Sequence, residues 1–107
     1  MRKNNFSFAV STGAFNDANE IALWYNEKME GLGFRFLTKL KTSFDKIHSF
    51  PGNFSRYQKS SDIRKYVVSG FPYRIYYLFR KDHIEVLAIV HTVPFKSIHQ
   101  KKTTIAA

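Results

Sequence analysis

The chain has 107 residues, which is the size of one domain with a single modest hydrophobic core. It contains 11 Phe, 6 Tyr and 1 Trp, and this aromatic content excludes a wholly disordered protein. Because the chain has no Cys, disulfide frameworks, thiolate metal sites and Cys nucleophiles are excluded.

Positive charge is concentrated in the second half of the chain. Of a net charge of +9, residues 1–50 contribute 7 basic and 5 acidic side chains, and residues 51–107 contribute 10 basic and 3 acidic ones. This asymmetry favours an anionic partner, either nucleic acid or an acidic protein, although a merely solvated basic surface has the same composition.

Nothing in the sequence indicates a membrane protein. The longest aliphatic run, residues 86–90, is too short to cross a bilayer. The apolar core of a signal peptide does not follow Met1-Arg2-Lys3. We therefore expect a cytoplasmic protein with no membrane partner, and the lack of Cys is compatible with that compartment.

The chain begins with a predicted strand and a predicted helix. Residues 5–10 alternate weakly between polar and apolar side chains, which favours a short strand. Ser11 or Thr12 then caps a helix. Its apolar stripe consists of Ala18, Ile21, Ala22, Trp24, Tyr25 and Met29. Gly31 and Gly33 interrupt this helix and form a tight connection.

The second helix has the clearest periodicity in the sequence. Its apolar side chains recur at spacings of three and four, at Phe36 or Leu37 and then at Leu40, Phe44, Ile47 and Phe50. Pro51-Gly52 ends this helix. Two amphipathic helices joined by a short connection form a hairpin, whose apolar face another layer must cover.

The second half of the chain predicts that covering layer. We predict strands over residues 54–59, 64–69, 73–80 and 83–91, with turns at Gly70-Phe71-Pro72 and Lys81-Asp82. In the third of these strands, Tyr73, Ile75, Tyr77 and Phe79 share one face, and Arg74, Tyr76, Leu78 and Arg80 share the other. The last strand is apolar on both faces in its middle, so we place it inside the sheet.

This order of elements predicts an α+β fold. An N-terminal strand and a two-helix hairpin pack on one face of a mostly antiparallel sheet of 4–5 strands. Residues 1–100 form the single domain, and residues 101–107 form a frayed polar tail.

Several segments in this order resemble the RelE/ParE family of toxins from type II toxin–antitoxin pairs. The likeness covers about three-quarters of the chain and is greatest to the ParE-like branch, the plasmid stabilisation proteins. The matching segments are Glu20-Ile21-Ala22, Trp24-Tyr25, Gly31-Leu32-Gly33-Phe34-Arg35-Phe36-Leu37, Pro51, Arg64-Lys65-Tyr66, Phe71-Pro72-Tyr73-Arg74-Ile75-Tyr76-Tyr77 and Val86-Leu87-Ala88-Ile89-Val90-His91.

The resemblance implies a growth-inhibiting toxin that a cognate antitoxin neutralises. In this family the C-terminal segment of the antitoxin wraps the toxin as a helix, an extended strand or both, in heterodimers or heterotetramers. RelE-like members cleave mRNA on the ribosome, whereas ParE-like members poison DNA gyrase. The resemblance therefore leaves two targets, gyrase and ribosome-bound mRNA.

The residues needed for RNA cleavage are incomplete in this sequence. Metal-free cleavage needs a base, an acid and a cation that holds the phosphate. The resemblance implies arginines where this chain has Ser69 and, after the last strand, residues 92–95. If the protein is nevertheless a nuclease, we expect the catalytic residues to be His91, His99 and Arg74.

We therefore rank a gyrase-binding toxin without chemistry of its own first, a ribosome-dependent endonuclease second, and a non-toxic binding module of the same fold third. We expect target and antitoxin to bind basic residues of the second half of the chain. These residues are Arg56, Lys59, Arg64, Lys65, Arg74, Arg80 and Lys96. No cluster with metal-ligand spacing is present in the sequence, so we predict no metal site and no cofactor.

Overall fold

The computed structural model describes residues 4–92, in which the chain forms four strands and two long helices. Predictions that involve the last fifteen residues, among them the boundary at residue 100, lie outside this range. The elements are β1 (Ser7–Val10), α1 (Thr12–Lys28), α2 (Leu32–Ser49), a short 3-10 turn (Pro51–Asn53), β2 (Ile63–Val67), β3 (Tyr73–Arg80) and β4 (His83–His91).

The strands form one open mixed sheet in the order β1-β4-β3-β2. The neighbouring pairs β2–β3 and β3–β4 are antiparallel, and β1 runs parallel to β4. Since β4 lies between β1 and β3, its apolar sequence on both faces is explained by its interior position. The predicted α+β fold is confirmed, with four strands in the described part of the chain.

The predicted strand over residues 54–59 is wrong. This segment makes a single bridge, in which Arg56 pairs with Arg64, through bonds from Tyr57 N–H to the Ile63 carbonyl (2.7 Å) and from Lys65 N–H to the Ser55 carbonyl (2.9 Å). After the bridge the chain turns, and Ser61 N–H donates to the Gln58 carbonyl (3.0 Å), so the ladder of strand hydrogen bonds does not continue.

One face of the sheet and the two helices enclose the core. Its fully buried side chains include Ile21 of α1, Phe36 and Ile47 of α2, and Tyr73, Ile75, Tyr77, Ile84 and Val86 of the sheet. Two residues assigned to the helical stripes are instead exposed, namely Met29 (55%) and Phe50 (54%). Each is the C-cap of its helix, where the backbone leaves helical geometry and the apolar periodicity no longer applies.

The two helices approach closely at Gly33. A Cβ atom there would overlap the carbonyl oxygen of Ala22 in α1. The Gly33 N–H also donates to Asn26 Oδ1 at 2.8 Å, which satisfies one free donor of the first turn of α2. Gly31 precedes the helix with a φ of 89°, a left-handed conformation that favours glycine. The connection is as tight as predicted and consists of residues 29–31, but Gly33 lies in the first turn of α2 and not in the connection.

The residue that caps α1 is hydrogen-bonded to a bulge in β4. Tyr76 pairs with Ala88 and Tyr77 with Val86, which leaves Leu87 as the additional residue of β4. Ser11 caps α1 by accepting from Ala14 N–H (3.0 Å), and its hydroxyl donates to the Leu87 carbonyl (3.2 Å). Ser11, which directly follows β1, therefore makes hydrogen bonds to both α1 and β4.

No helix in the described part of the chain is long and apolar enough to span a membrane.

Candidate functional site

The face of the sheet that the helices leave uncovered is the candidate binding surface, and we call it the outer face. On β3 its residues are Arg74, Tyr76, Leu78 and Arg80, because Tyr73, Ile75 and Tyr77 point into the core. In register with these outward residues lie Ile63, Lys65 and Val67 of β2 and His83, Glu85, Ala88 and Val90 of β4.

Three of the predicted binding cations share the outer face. Lys65 and Arg74 are diagonal neighbours, since Lys65 is opposite Tyr76 and Val67 is opposite Arg74. Arg80 lies at the far end of β3, where its Nε donates to Asp62 Oδ2 at 2.8 Å in an exposed ion pair. Exposed pairs of this kind contribute little to stability.

Two other predicted binding cations lie elsewhere. Arg64 is paired with Tyr77, so it points toward the helix side, where its Nη1 donates to the Phe54 carbonyl at 2.7 Å. Arg56, its bridge partner, donates to the Ser61 carbonyl at 2.6 Å. These two arginines therefore hold the segment before β2 against the edge of the sheet. Lys59 is exposed in the same segment, and Lys96 lies outside the described residues.

The sheet separates two of the three residues predicted for a nuclease. His91 is opposite Tyr73 on the core side, and the two rings meet edge to face with centroids 4.9 Å apart. Arg74, the next residue of β3, points to the outer face. A single phosphate between the two side chains would have to lie within the sheet. His99 is outside the described range.

A shallow apolar groove crosses the middle of the outer face. Tyr57, Ile63, Tyr76 and Leu87 line a concavity of about 320 Å³. The rings of Tyr57 and Tyr76 meet edge to face, with centroids 5.7 Å apart. The period of two in residues 63–67 and 73–80 predicts the two strands that carry this groove, but the groove itself has no signal in the sequence.

A second concavity opens beside the free end of β2, and we call it the edge cleft. It has a volume of about 440 Å³ and is lined by Asn53, Phe54, Ser55, Lys65, Tyr66, Val67 and Arg74. Arg74 Nη1 donates to the Tyr76 hydroxyl at 3.2 Å, while its buried Nε has no hydrogen-bond partner among residues 4–92. The edge cleft thus contains two cations, Lys65 and Arg74, and the Arg74 guanidinium has further donors available.

Buried tyrosines lie on the opposite side of the sheet. Burial raises the pKa of Tyr73 well above its ordinary range, and a negative charge on Tyr25 would raise it further. Burial also raises the pKa of Tyr77 to about 12, although the Arg64 charge opposes this shift. The Tyr77 hydroxyl donates to the Pro51 carbonyl at 2.7 Å. These groups are neutral at physiological pH and hold the core together.

The described residues include no group of three or more His, Asp or Glu that could hold a metal ion. The outer face offers two concavities, the cations Lys65, Arg74 and Arg80, and a helical layer behind the sheet. These features define a small basic α+β domain whose exposed sheet face is suited to contact with another macromolecule.

Comparison with known proteins assigns this domain to a family. Residues 9–93 match the family model of the ParE toxin of type II toxin–antitoxin system, parDE. The chain therefore belongs to the ParE toxin family, and the predicted resemblance is confirmed.

A solved structure has the same fold. One chain of the chromosomal ParDE TA system from P. aeruginosa superposes with a TM-score of 0.63 at 13% sequence identity, over 82% of this chain and 97% of that one. At this level of identity the match establishes the fold. A search of curated proteins gave no match.

Proposed function

We propose that the protein is a cytoplasmic growth-inhibiting toxin that binds DNA gyrase and is neutralised by a cognate antitoxin. Membership of the ParE family supports the class of protein. The resemblance to the ParE-like branch implies gyrase as the target. The antitoxin is proposed on the same ground, and the related P. aeruginosa structure is of a ParDE system. Its complex with this chain is a heterodimer or a heterotetramer.

The separation of His91 from Arg74 by the sheet is the observation that favours binding over RNA cleavage. A nuclease site needs its base and its phosphate-holding cation on the same side of the substrate. Here the imidazole packs on Tyr73 on the core side, whereas the guanidinium is on the outer face. An outer face with cations and an apolar groove is instead suited to a protein partner, whose contact would use both.

Expression without an antitoxin in a bacterial host separates the three candidate functions. A gyrase poison produces filamentous cells and a DNA-damage response while translation continues at early times. A ribosome-dependent nuclease instead stops translation promptly and leaves cut transcripts, and a non-toxic binding module has no effect on growth. The first outcome supports the proposal, and either of the others overturns it.

Matched variants connect the outcome to residues. If the protein is not a catalyst, His91→Ala should change toxicity only as far as it lowers the stability of the fold, because this side chain packs on the core side. Toxicity that disappears for His91→Ala in a variant with an unchanged melting temperature would point to catalysis. His83→Ala, on the exposed end of the same strand, is the matched control.

A further inference from the structure

We infer that the free edge of β1 is a self-association site, at which the β1 strand of a second copy of this chain pairs antiparallel with Ser7–Val10. The two sheets then form one continuous sheet around a two-fold axis that passes beside Ala9. This inference goes beyond the proposed function and does not depend on it, because neither an antitoxin nor a target takes part.

The outward backbone groups of β1 are the first support. Ser7 N–H donates to the Asp82 carbonyl (2.9 Å) and Ser11 N–H donates to the Val86 carbonyl (3.0 Å), so the odd-numbered residues direct their backbone groups toward β4. Phe8 and Val10 therefore direct theirs away from the sheet. Their N–H and carbonyl groups have no hydrogen-bond partner among residues 4–92. Such an edge is a template for pairing with another strand.

The two ends of this free edge determine the register of the pairing. Before it, Phe6 N–H donates to Asn4 Oδ1 (3.2 Å), and the Phe6 carbonyl accepts from His48 Nε2 (2.9 Å). After it, the chain enters α1. Two copies satisfy the remaining outward groups of both strands when Phe8 of each copy is opposite Val10 of the other.

The side chains of β1 fit this register. Ser7, whose hydroxyl lies 2.7 Å from His83 Nδ1, and Ala9 are on the outer face, and both are small. The two Ala9 residues come to lie directly opposite each other, with Cα atoms about 4.5 Å apart. On the helix side, Phe8 packs on α2 and is opposite Val10 of the second copy, which is 37% exposed. Cross-strand pairs of an aromatic and a β-branched residue are stabilising.

Charge favours a second copy at this edge and not at the other one. The chain has a net charge of +9, so most approaches between two copies are repulsive. Residues 4–16 are its longest stretch without a charged side chain. The free end of β2 instead carries Lys65 beside Arg74, and self-pairing there would oppose like charges.

One charged residue lies next to Ala9, and it does not prevent the pairing. Glu85 of β4 is opposite Ala9 in the parallel ladder. In the dimer the two Glu85 backbones would be three strand spacings, about 14 Å, apart. This separation exceeds the Debye length of about 8 Å at physiological ionic strength, so their repulsion is largely screened.

The size of the contact predicts a weak, reversible dimer. Two four-residue strand edges bury less than the area of a stable interface, which is about 1,200 Å² or more. The pairing also places residues 4–6 of the second copy beside the first turns of α1, where Phe15 is 59% exposed. We expect a dissociation constant of about 0.1–1 mM.

The test is sedimentation equilibrium of the full chain at concentrations from about 0.01 to 1 mM, with ¹⁵N NMR spectra of the same samples. The average mass should rise toward that of two chains. The amide resonances of Phe8 and Val10 should shift with concentration, whereas that of Val67, on the opposite edge of the sheet, should not.

A charge-exchange pair at Ala9 tests the register. Ala9→Glu places two carboxylates opposite each other, so its self-association should be weaker by about tenfold or more. An equimolar mixture of Ala9→Glu and Ala9→Lys should associate about tenfold or more tightly than Ala9→Glu alone, because opposite charges then face each other.

Val67→Glu is the matched control, because it puts the same charge at an exposed valine on the other edge of the sheet. It should dimerise within about twofold of the wild type. Thermal melts of each variant report whether it is folded. Val10→Pro gives a second measurement if Ala9→Glu is unstable. It removes an outward N–H that the monomer does not use, and an edge strand tolerates proline at such a position.

Four results would overturn the inference. These are the mass of one chain at every concentration, equal association of the wild type and Ala9→Glu, a mixture that associates no more tightly than Ala9→Glu alone, and shifts confined to β2 or the apolar groove. Protection of the Phe8 and Val10 amides from hydrogen exchange that is the same at all concentrations would also overturn it, in favour of a segment of the same chain on this edge.

Discussion

Replacing Tyr77 with Phe removes one buried hydroxyl from the contact between β3 and the turn after α2. This hydroxyl donates to the Pro51 carbonyl at 2.7 Å, and both residues are buried. The variant keeps the ring but leaves that carbonyl without its donor, so we expect a loss of about 1–3 kcal/mol in the free energy of unfolding. For a domain of this size, each kcal/mol lowers the melting temperature by about 4 °C or more.

The pH dependence of this loss tests the same contact a second time. Burial raises the pKa of Tyr77 to about 12 from its ordinary value of 10.0, so the folded chain retains a proton that the unfolded chain loses in this range. The contribution of the Tyr77 hydroxyl to the free energy of unfolding is therefore complete below pH 10.0 and declines as the pH rises toward about 12. Tyr77→Phe has no hydroxyl to ionise, so the difference in free energy of unfolding between wild type and variant becomes smaller as the pH rises.

Urea unfolding of wild type, Tyr77→Phe and the control Tyr57→Phe at neutral and alkaline pH measures both effects. Tyr57 is exposed, so its variant should differ from the wild type by no more than about 0.5 kcal/mol. The reasoning is refuted if Tyr77→Phe is as stable as the wild type. It is also refuted if their difference in free energy of unfolding is constant between neutral pH and pH 12.

Three further substitutions test the helical layer. Gly33→Ala should destabilise the fold by about 1–3 kcal/mol or more, because the new methyl group overlaps the Ala22 carbonyl. Gly13→Ala, also helical but open, should stabilise it by about 0.5–1 kcal/mol, and equal melting temperatures for the two variants would contradict this account. Ser11→Ala should cost about 1–2 kcal/mol by removing the helix cap and the donor to Leu87, and hydrogen exchange should increase at the start of α1, whereas a neutral result would exclude the cap.

The elements with strong periodicity could be predicted from the sequence. The bounds of β3 and β4 match residues 73–80 and 83–91, because alternation in β3 and the apolar middle of β4 reflect their interior positions in the sheet. The strand predicted over residues 54–59 fails because its local pattern does not determine where its partner ends. A single bridge at Arg56 is all that the turn after it allows.

The candidate site was predicted only in outline. Because successive residues of a strand point to opposite faces, only one of Arg64 and Lys65 can share the face of Arg74, and the structure places Lys65 there. The edge cleft could not be predicted, because it depends on where the segment at Ser55 leaves the edge of β2. The bulge at Leu87 could not be predicted either, because it depends on the register of three strands and on the start of a helix.

The supercoiling activity of purified DNA gyrase in the presence of this protein tests the central claim most directly. Relaxed plasmid, gyrase and ATP are incubated with increasing amounts of the chain, while programmed ribosomes with labelled mRNA are treated in parallel. We expect inhibited supercoiling, accumulation of cleaved plasmid and intact mRNA. Unimpaired supercoiling together with cut mRNA would contradict the proposed action on gyrase.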